Sequence, residues 1–226
     1  MNKIIRDNNK FILDDKLSYL EITKNASYEI NVLKDKHQKL EIIGTDDYAI
    51  KINLEENSSL EVNSLNKDNS VKIDLFLKKG AKITYNHSVI SQKDSDNYFN
   101  IHHLEDGSIS LLNNNGINLE NKKLFFTING VIDKHLKDIN CSQNSKILNY
   151  SNGNSKIIPN LIIDSNDIVA NHSAYIGYIN PEEVFYMESR GISKENIRNL
   201  IYKATMIGKM KLSNKEKFNQ ILNEWW

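Results

Sequence analysis

From about residue 17 to residue 178 the apolar positions alternate with polar ones instead of recurring at helical spacing. Leu60/Val62, Val71/Ile73/Leu75, Ile83/Tyr85, Ile109/Leu111, Ile162 and Ile168 mark runs bounded by Asn, Asp, Gly and Ser clusters. Alternation places one set of side chains on a buried face, and the polar clusters supply turns, so the pattern predicts many short strands. Several turns share a loose form, polar-polar-small followed by apolar-x-apolar: ENSSLEV, KKGAKITY, EDGSISLL, SQNSKIL and DSNDIVA. Such self-similarity predicts a solenoid whose coils bury their apolar faces against one another. A β-sandwich carries the same alternation, so periodicity alone leaves both architectures open.

After residue 178 the period changes. Asn180 is suited to accept from the first free amides of a helix, Pro181 fits the first helical position, and Glu182 and Glu183 face the positive end of the macrodipole. A helix is predicted from about 181, with Phe185 beside Val184 and Met187 as its apolar side and Arg190-Gly191 as its end. Ser193 caps a second helix in which Ile197, Leu200, Ile201 and Ala204 form one stripe. A third amphipathic stretch starts at about Asn214 and carries Phe218, Ile221, Leu222 and Trp225.

The stretch NHSAYIGYINPEEVFYMESRGIS, Asn171 to Ser193, resembles the C-terminal signature of the SufB/SufD family, the β-helical subunits of iron-sulfur cluster assembly. His172, Ala174, Gly177, Ile179, Glu182, Glu183, Phe185, Tyr186, Ser189, Arg190, Gly191 and Ile192 fall at the signature positions. FFTINGVIDKHLKDINCSQNSKIL and IPNLIID resemble the strands that precede the signature in that family, which extends the likeness over about Leu124 to Gly208. The resemblance implies a right-handed parallel β-helix with a C-terminal helical region. It divides the chain into a segment 1–16, a β-helix core 17–178 and a helical region 179–226. It also implies a shortened solenoid without the helical N-terminal region of many members.

Composition narrows the class. Lys+Arg and Asp+Glu are 29 each, so no net field draws nucleic acid or an anionic membrane. No apolar run approaches the roughly 20 residues of a membrane span, and MNKIIRDNNKFILDD breaks its apolar residues with charge. The lone Cys141 cannot form an internal disulfide, which fits a reducing, cytoplasmic setting. The sequence holds no Walker A loop, G-x-G-x-x-G, H-E-x-x-H or C-x-x-C, so any ATPase activity belongs to another chain.

The resemblance implies roles for particular residues. In the SufD branch a histidine at the position of His172 lies at the interface with SufB and takes part in building the cluster, as iron ligand or proton handler. The SufB branch places a glutamate next to it and a cysteine before the P-x-I strand; here those places hold Ser173 and, on or beside it, Gly153. Thiolate is the ligand that iron-sulfur clusters need most. The expected function is therefore a non-catalytic SufD-like subunit that pairs with a SufB-like scaffold or with itself and holds a cluster only in transit. Glu182, Glu183, Phe185, Tyr186, Arg190 and Gly191 are the expected dock for the SufC-like ABC ATPase, while end-capping of the solenoid is the structural reading of the same helices.

Cys141 reads as a small buried hydrophobe or as an iron or persulfide ligand at a dimer interface. The second role belongs to an alternative function, a self-sufficient homodimeric scaffold using His172 and Cys141. A third reading, a β-helical carbohydrate-active enzyme, has only Asp164 and Asp167 as acids near His172. His102 and His103 on one strand point to opposite faces. His37, His87 and His135 are expected at the surface or in turns.

Overall fold

The computed structural model describes residues 9–13 and 17–225. Among these described residues, fourteen strands alternate between two seven-stranded parallel sheets. The first sheet holds β1 (Lys10–Ile12), β3 (Ala26–Val32), β5 (Tyr48–Leu54), β7 (Val71–Leu77), β9 (Ser95–His103), β11 (Lys123–Ile132) and β13 (Asn154–Ile163). The second holds β2 (Ser18–Ile22), β4 (His37–Gly44), β6 (Ser59–Lys67), β8 (Lys82–Ser91), β10 (Ile109–Asn118), β12 (Lys137–Asn149) and β14 (Asp167–Gly177). Each strand pairs with the second strand before and after it in the chain, which is the connectivity of a parallel β-solenoid and excludes the sandwich. The strand β1 lies inside the segment 1–16 and already pairs with β3; the rest of that segment is outside the described residues, apart from 9 and 13.

One position per coil repeats a left-handed residue: Asp35, Asn57, Gly80 and Gly107 in turns, with φ of 58°, 55°, 64° and 73°, and Asp138 at the register shift that opens β12, with φ of 57°. The N–H groups of Asp35, Asn57, Gly80 and Gly107 donate to Glu56, Lys79, Asp106 and Lys137 carbonyls in the next coil. Asn, Asp and Gly tolerate this conformation, which is the physical content of the polar-polar-small pattern. SQNSKIL does not follow it, because Ser142–Leu148 runs inside β12.

Inward residues fill the lumen, among them Ile52, Leu75, Phe99, Ile101, Phe126 and Ile128, all fully buried. In β10 the phase is opposite to the one the alternation predicts. Ser110 and Leu112 are buried and Ile109 and Leu111 are not, because the register sets Ser110 on Ile83 and Leu112 on Tyr85. Likewise Ile162 faces out and is 57% exposed.

Outside the lumen, asparagines stack coil on coil. Asn100 donates to Asp74, Asn129 to Asn100 and Asn160 to Asn129; on the other sheet Asn86 donates to Asn63, Asn113 to Asn86 and Asn144 to Asn113. Asp74 accepts only, so it orients the first of these ladders from one end.

His87 is the one histidine whose placement the sequence missed. It is fully buried in the lumen, with Nδ1 at 3.0 Å from Ser64 Oγ and its ring edge-on to Phe99 and Phe126. Burial pushes its pKa down to about 3, and burial with the neighbouring His102 pushes that of His103 down to about 4. Both rings are neutral in the folded chain and titrate near 6.5 when it unfolds. Their contribution is complete above about pH 6.5 and is lost as the pH falls toward the folded values, at up to about 1.4 kcal/mol per pH unit for each. Urea unfolding between about pH 7 and about pH 4 should show this decline, and His87→Leu should make it shallower; equal slopes in both proteins would refute the assignment.

Candidate functional site: the open end of the solenoid

β13 and β14 are the last strands of their sheets, and nothing among the described residues covers the layer of side chains they turn inward. Ile132 and Ile147, one coil below, are 1% and 0% exposed, whereas their register partners Ile163 and Ile176 are 37% and 43% exposed. Val169, Tyr175 and Tyr178 add apolar surface beside them.

His172 belongs to this inward layer. The register stacks Val62, Tyr85, Leu112, Gln143 and His172 in one column, so the column changes from apolar to polar as it reaches the open end. The adjacent column runs Leu60, Ile83, Ser110, Cys141 and Ala170. His172 is exposed, while Gln143 and Cys141, one coil deeper, are fully buried. Burial pushes the Cys141 thiol up from its ordinary value, opposed by the hydrogen-bonding groups of Ser110 and Gln143. A protonated, sealed thiol is a poor nucleophile and a poor metal ligand. Beneath it, His103 bonds Ser108 Oγ at 2.8 Å and Ser110 Oγ at 2.9 Å, so its nitrogens are both engaged inside the lumen.

Ser173, where the SufB branch has glutamate, faces outward and donates to Asn144 Oδ1 at 2.9 Å. Gly153 lies against Asn149 and Asn118, whose side-chain atoms would stand 2.5 and 2.7 Å from any Cβ placed there. A cysteine at that position therefore requires the two amide side chains to move aside.

The other histidines lie apart from this site. His102 stacks on Phe76 outside the barrel with ring centroids 4.8 Å apart, opposite in direction to His103. His37 is exposed beside Ser59, and His135 is exposed in a turn at φ 73°. Among the described residues no three His, Cys, Asp or Glu side chains come together in a way that could hold a metal ion. Asp164 and Asp167 are exposed around the turn between β13 and β14.

The helices follow the sequence closely in position. α1 (Pro181–Glu188) is capped by Asn180, whose Oδ1 accepts from Glu182 N at 3.0 Å, and it is followed by Gly191 at φ 82°. α1 buries none of its residues. Phe185 is 74% exposed and Tyr186 56%, with the Arg190 guanidinium 4.4 Å from the Tyr186 ring centre. Glu182 and Glu183 are exposed in its first turn.

α2 (Lys194–Ile207) and α3 (Lys215–Trp225) do not cap the open end. They fold back along the outside of the second sheet, where Tyr202, Met206, Phe218, Leu222 and Trp225 pack with Ile43, Leu65, Ile90 and Ile117. Ser213 fastens this return to the buried Glu41, donating from N and Oγ at 2.6 Å each. The face of α2 that packs is therefore rotated from the expected stripe. Leu200 is 52% exposed and Ala204 is exposed, because the larger Tyr202 and Met206 take the sheet side.

The description that matches this chain is the SufBD core domain of SUF system FeS cluster assembly, over residues 8–205. The chain belongs to the SufBD family. It is 31% identical over 87 residues to the iron-sulfur cluster assembly protein SufD of Bacillus subtilis (strain 168). That match takes in 38% of this chain and only 20% of the Bacillus protein. As a SufBD-family chain it is mainly β, a parallel solenoid followed by C-terminal helices. No described helix is long and apolar enough to cross a membrane.

Proposed function

We propose that this SufBD-family chain is a non-catalytic, SufD-like subunit whose open solenoid end pairs with a SufB-like scaffold. α1 docks a SufC-like ABC ATPase, and the cluster forms in transit where the two subunits meet. The observation that carries this reading is the uncovered inward layer of the last coil, which offers an imidazole, His172, while the chain's thiol is sealed one coil below. Iron then takes its thiolates from the partner, which the cluster chemistry requires.

The strand edges support pairing through β14. Asp164 N donates to Ile132 O, so alternate residues of β13, 160 and 162 among them, turn toward β11 and Pro159 falls on the open side, where its missing N–H removes a donor. Asn140 N donates to Ser108 O, which by the same alternation turns the main chain of Ala170, His172 and Ala174 to the open edge of β14. Those donors are uninterrupted, and a partner strand added there buries the exposed isoleucines.

Co-expression with a SufB-like subunit and a SufC-like ATPase, followed by affinity purification of this chain, should recover all three. Recovery of this chain alone would overturn the reading. The self-sufficient homodimer draws on one observation, the position of Cys141 next to the His172 column; the cysteine variant discussed below separates the two.

A further inference from the structure

Gln143 is fully buried, and its Oε1 has no hydrogen-bond partner. Its Nε2 donates to the main-chain oxygen of Asn160 at 3.3 Å. A carbonyl only accepts, so the amide is held in this sense and Oε1 is the atom left over. A buried acceptor without a donor is costly to desolvate, so its place in the lumen calls for an explanation. Leu112 lies below it in register and offers no donor, and His172 lies directly above. Register neighbours on one face of a parallel sheet stand about 4.8 Å apart. The opposite wall is kept open for the amide: a Cβ at Gly130 would lie 2.9 Å from Gln143 Nε2 and from Cys141 Sγ.

We propose that Gln143 is the positioning residue for His172: the exposed His172 ring turns inward from its place in this structure, where the two are not bonded, so that one imidazole N–H donates to the unpaired Oε1 and the lone pair of the other nitrogen is directed out of the open end. This rests on the reading of His172 as the residue offered to iron. An acceptor behind a ligating histidine fixes its tautomer and ring direction. Gln143 does this without charge, and it is anchored from Asn160, so β13 and β14 are tied through one amide at the interface layer.

The test is the tautomer of His172, read from the ring-nitrogen shifts of the isolated full chain labelled with 15N-histidine, near neutral pH. The wild-type ring should favour one tautomer about tenfold beyond the ratio of a free imidazole, the bias of one ordinary hydrogen bond. Gln143→Leu should return the ratio to the free value, and Gln143→Glu, which keeps an acceptor, should preserve the bias. An unbiased wild-type ring, or a bias that persists in Gln143→Leu, would overturn the proposal. Because the readout needs no partner and no iron, it fails separately from the functional reading, which falls if His172→Ala leaves cluster yield in the assembled complex unchanged.

Discussion

Replacing Phe185 and Tyr186 together by alanine should abolish association with a SufC-like ATPase and leave the solenoid folded. Both rings are more than half exposed and α1 buries nothing, so the folded chain loses little packing when they go. A docked partner loses a great deal. Aromatic anchors cost about 2 kcal/mol or more each on truncation, and two of them amount to roughly a thousandfold in affinity before any coupling. The Arg190 guanidinium, 4.4 Å over Tyr186, also loses its platform. The measurement is ATPase recovered with the tagged double variant, alongside circular dichroism to confirm the fold. Wild-type recovery would move the dock to another surface.

The second large effect concerns chemistry at the open end. In a complex co-expressed with a SufB-like partner, His172→Ala should reduce bound iron and sulfide without loss of subunit pairing, since the ring is exposed and contributes little to the stability of this chain. Cys141→Ser should have a mild effect. The thiol is fully buried, burial holds it protonated, and serine is close to it in size. A self-sufficient scaffold demands the reverse, because loss of its only thiolate leaves nitrogen and oxygen ligands that iron-sulfur clusters use poorly. Iron and acid-labile sulfide per complex, with the subunit ratio, separate the outcomes.

Local chemistry explains what the sequence revealed and what it hid. Strand alternation, the Asn180 cap, Pro181 and Gly191 are short-range signals; α1 begins and ends close to where those residues place it, and α2 and α3 begin next to Ser193 and Asn214. The choice of solenoid over sandwich was not local; it came from the resemblance carried by Asn171 to Ser193. Phase errors arose where a neighbouring coil overrides local pattern. In β10 the polar Ser110 goes inside because Ile83 and Cys141 lie below and above it, and no property of ISLL reveals that. The burial of His87 has the same cause, since a lone histidine between polar neighbours looks solvated until its coil stacks it between Ser64 and Asn114. The return of α2 and α3 along the second sheet depends on Ile43, Leu65 and Ile90, more than a hundred residues away in sequence from their partners, and the buried stripe of α2 turned accordingly. At the site, His172 was legible as a motif residue. Gln143 carries no sequence signal, because its significance lies in one unpaired oxygen and a register partner.

Reconstitution of the purified chain by itself with iron and sulfide tests the central claim most directly, with iron and acid-labile sulfide counted per chain after desalting. The expected result is little stable cluster, because the exposed layer offers His172 and the thiol is sealed beneath it. A robust cluster on the lone wild-type chain that disappears in Cys141→Ser would contradict the partner-subunit account and establish the chain as a minimal scaffold.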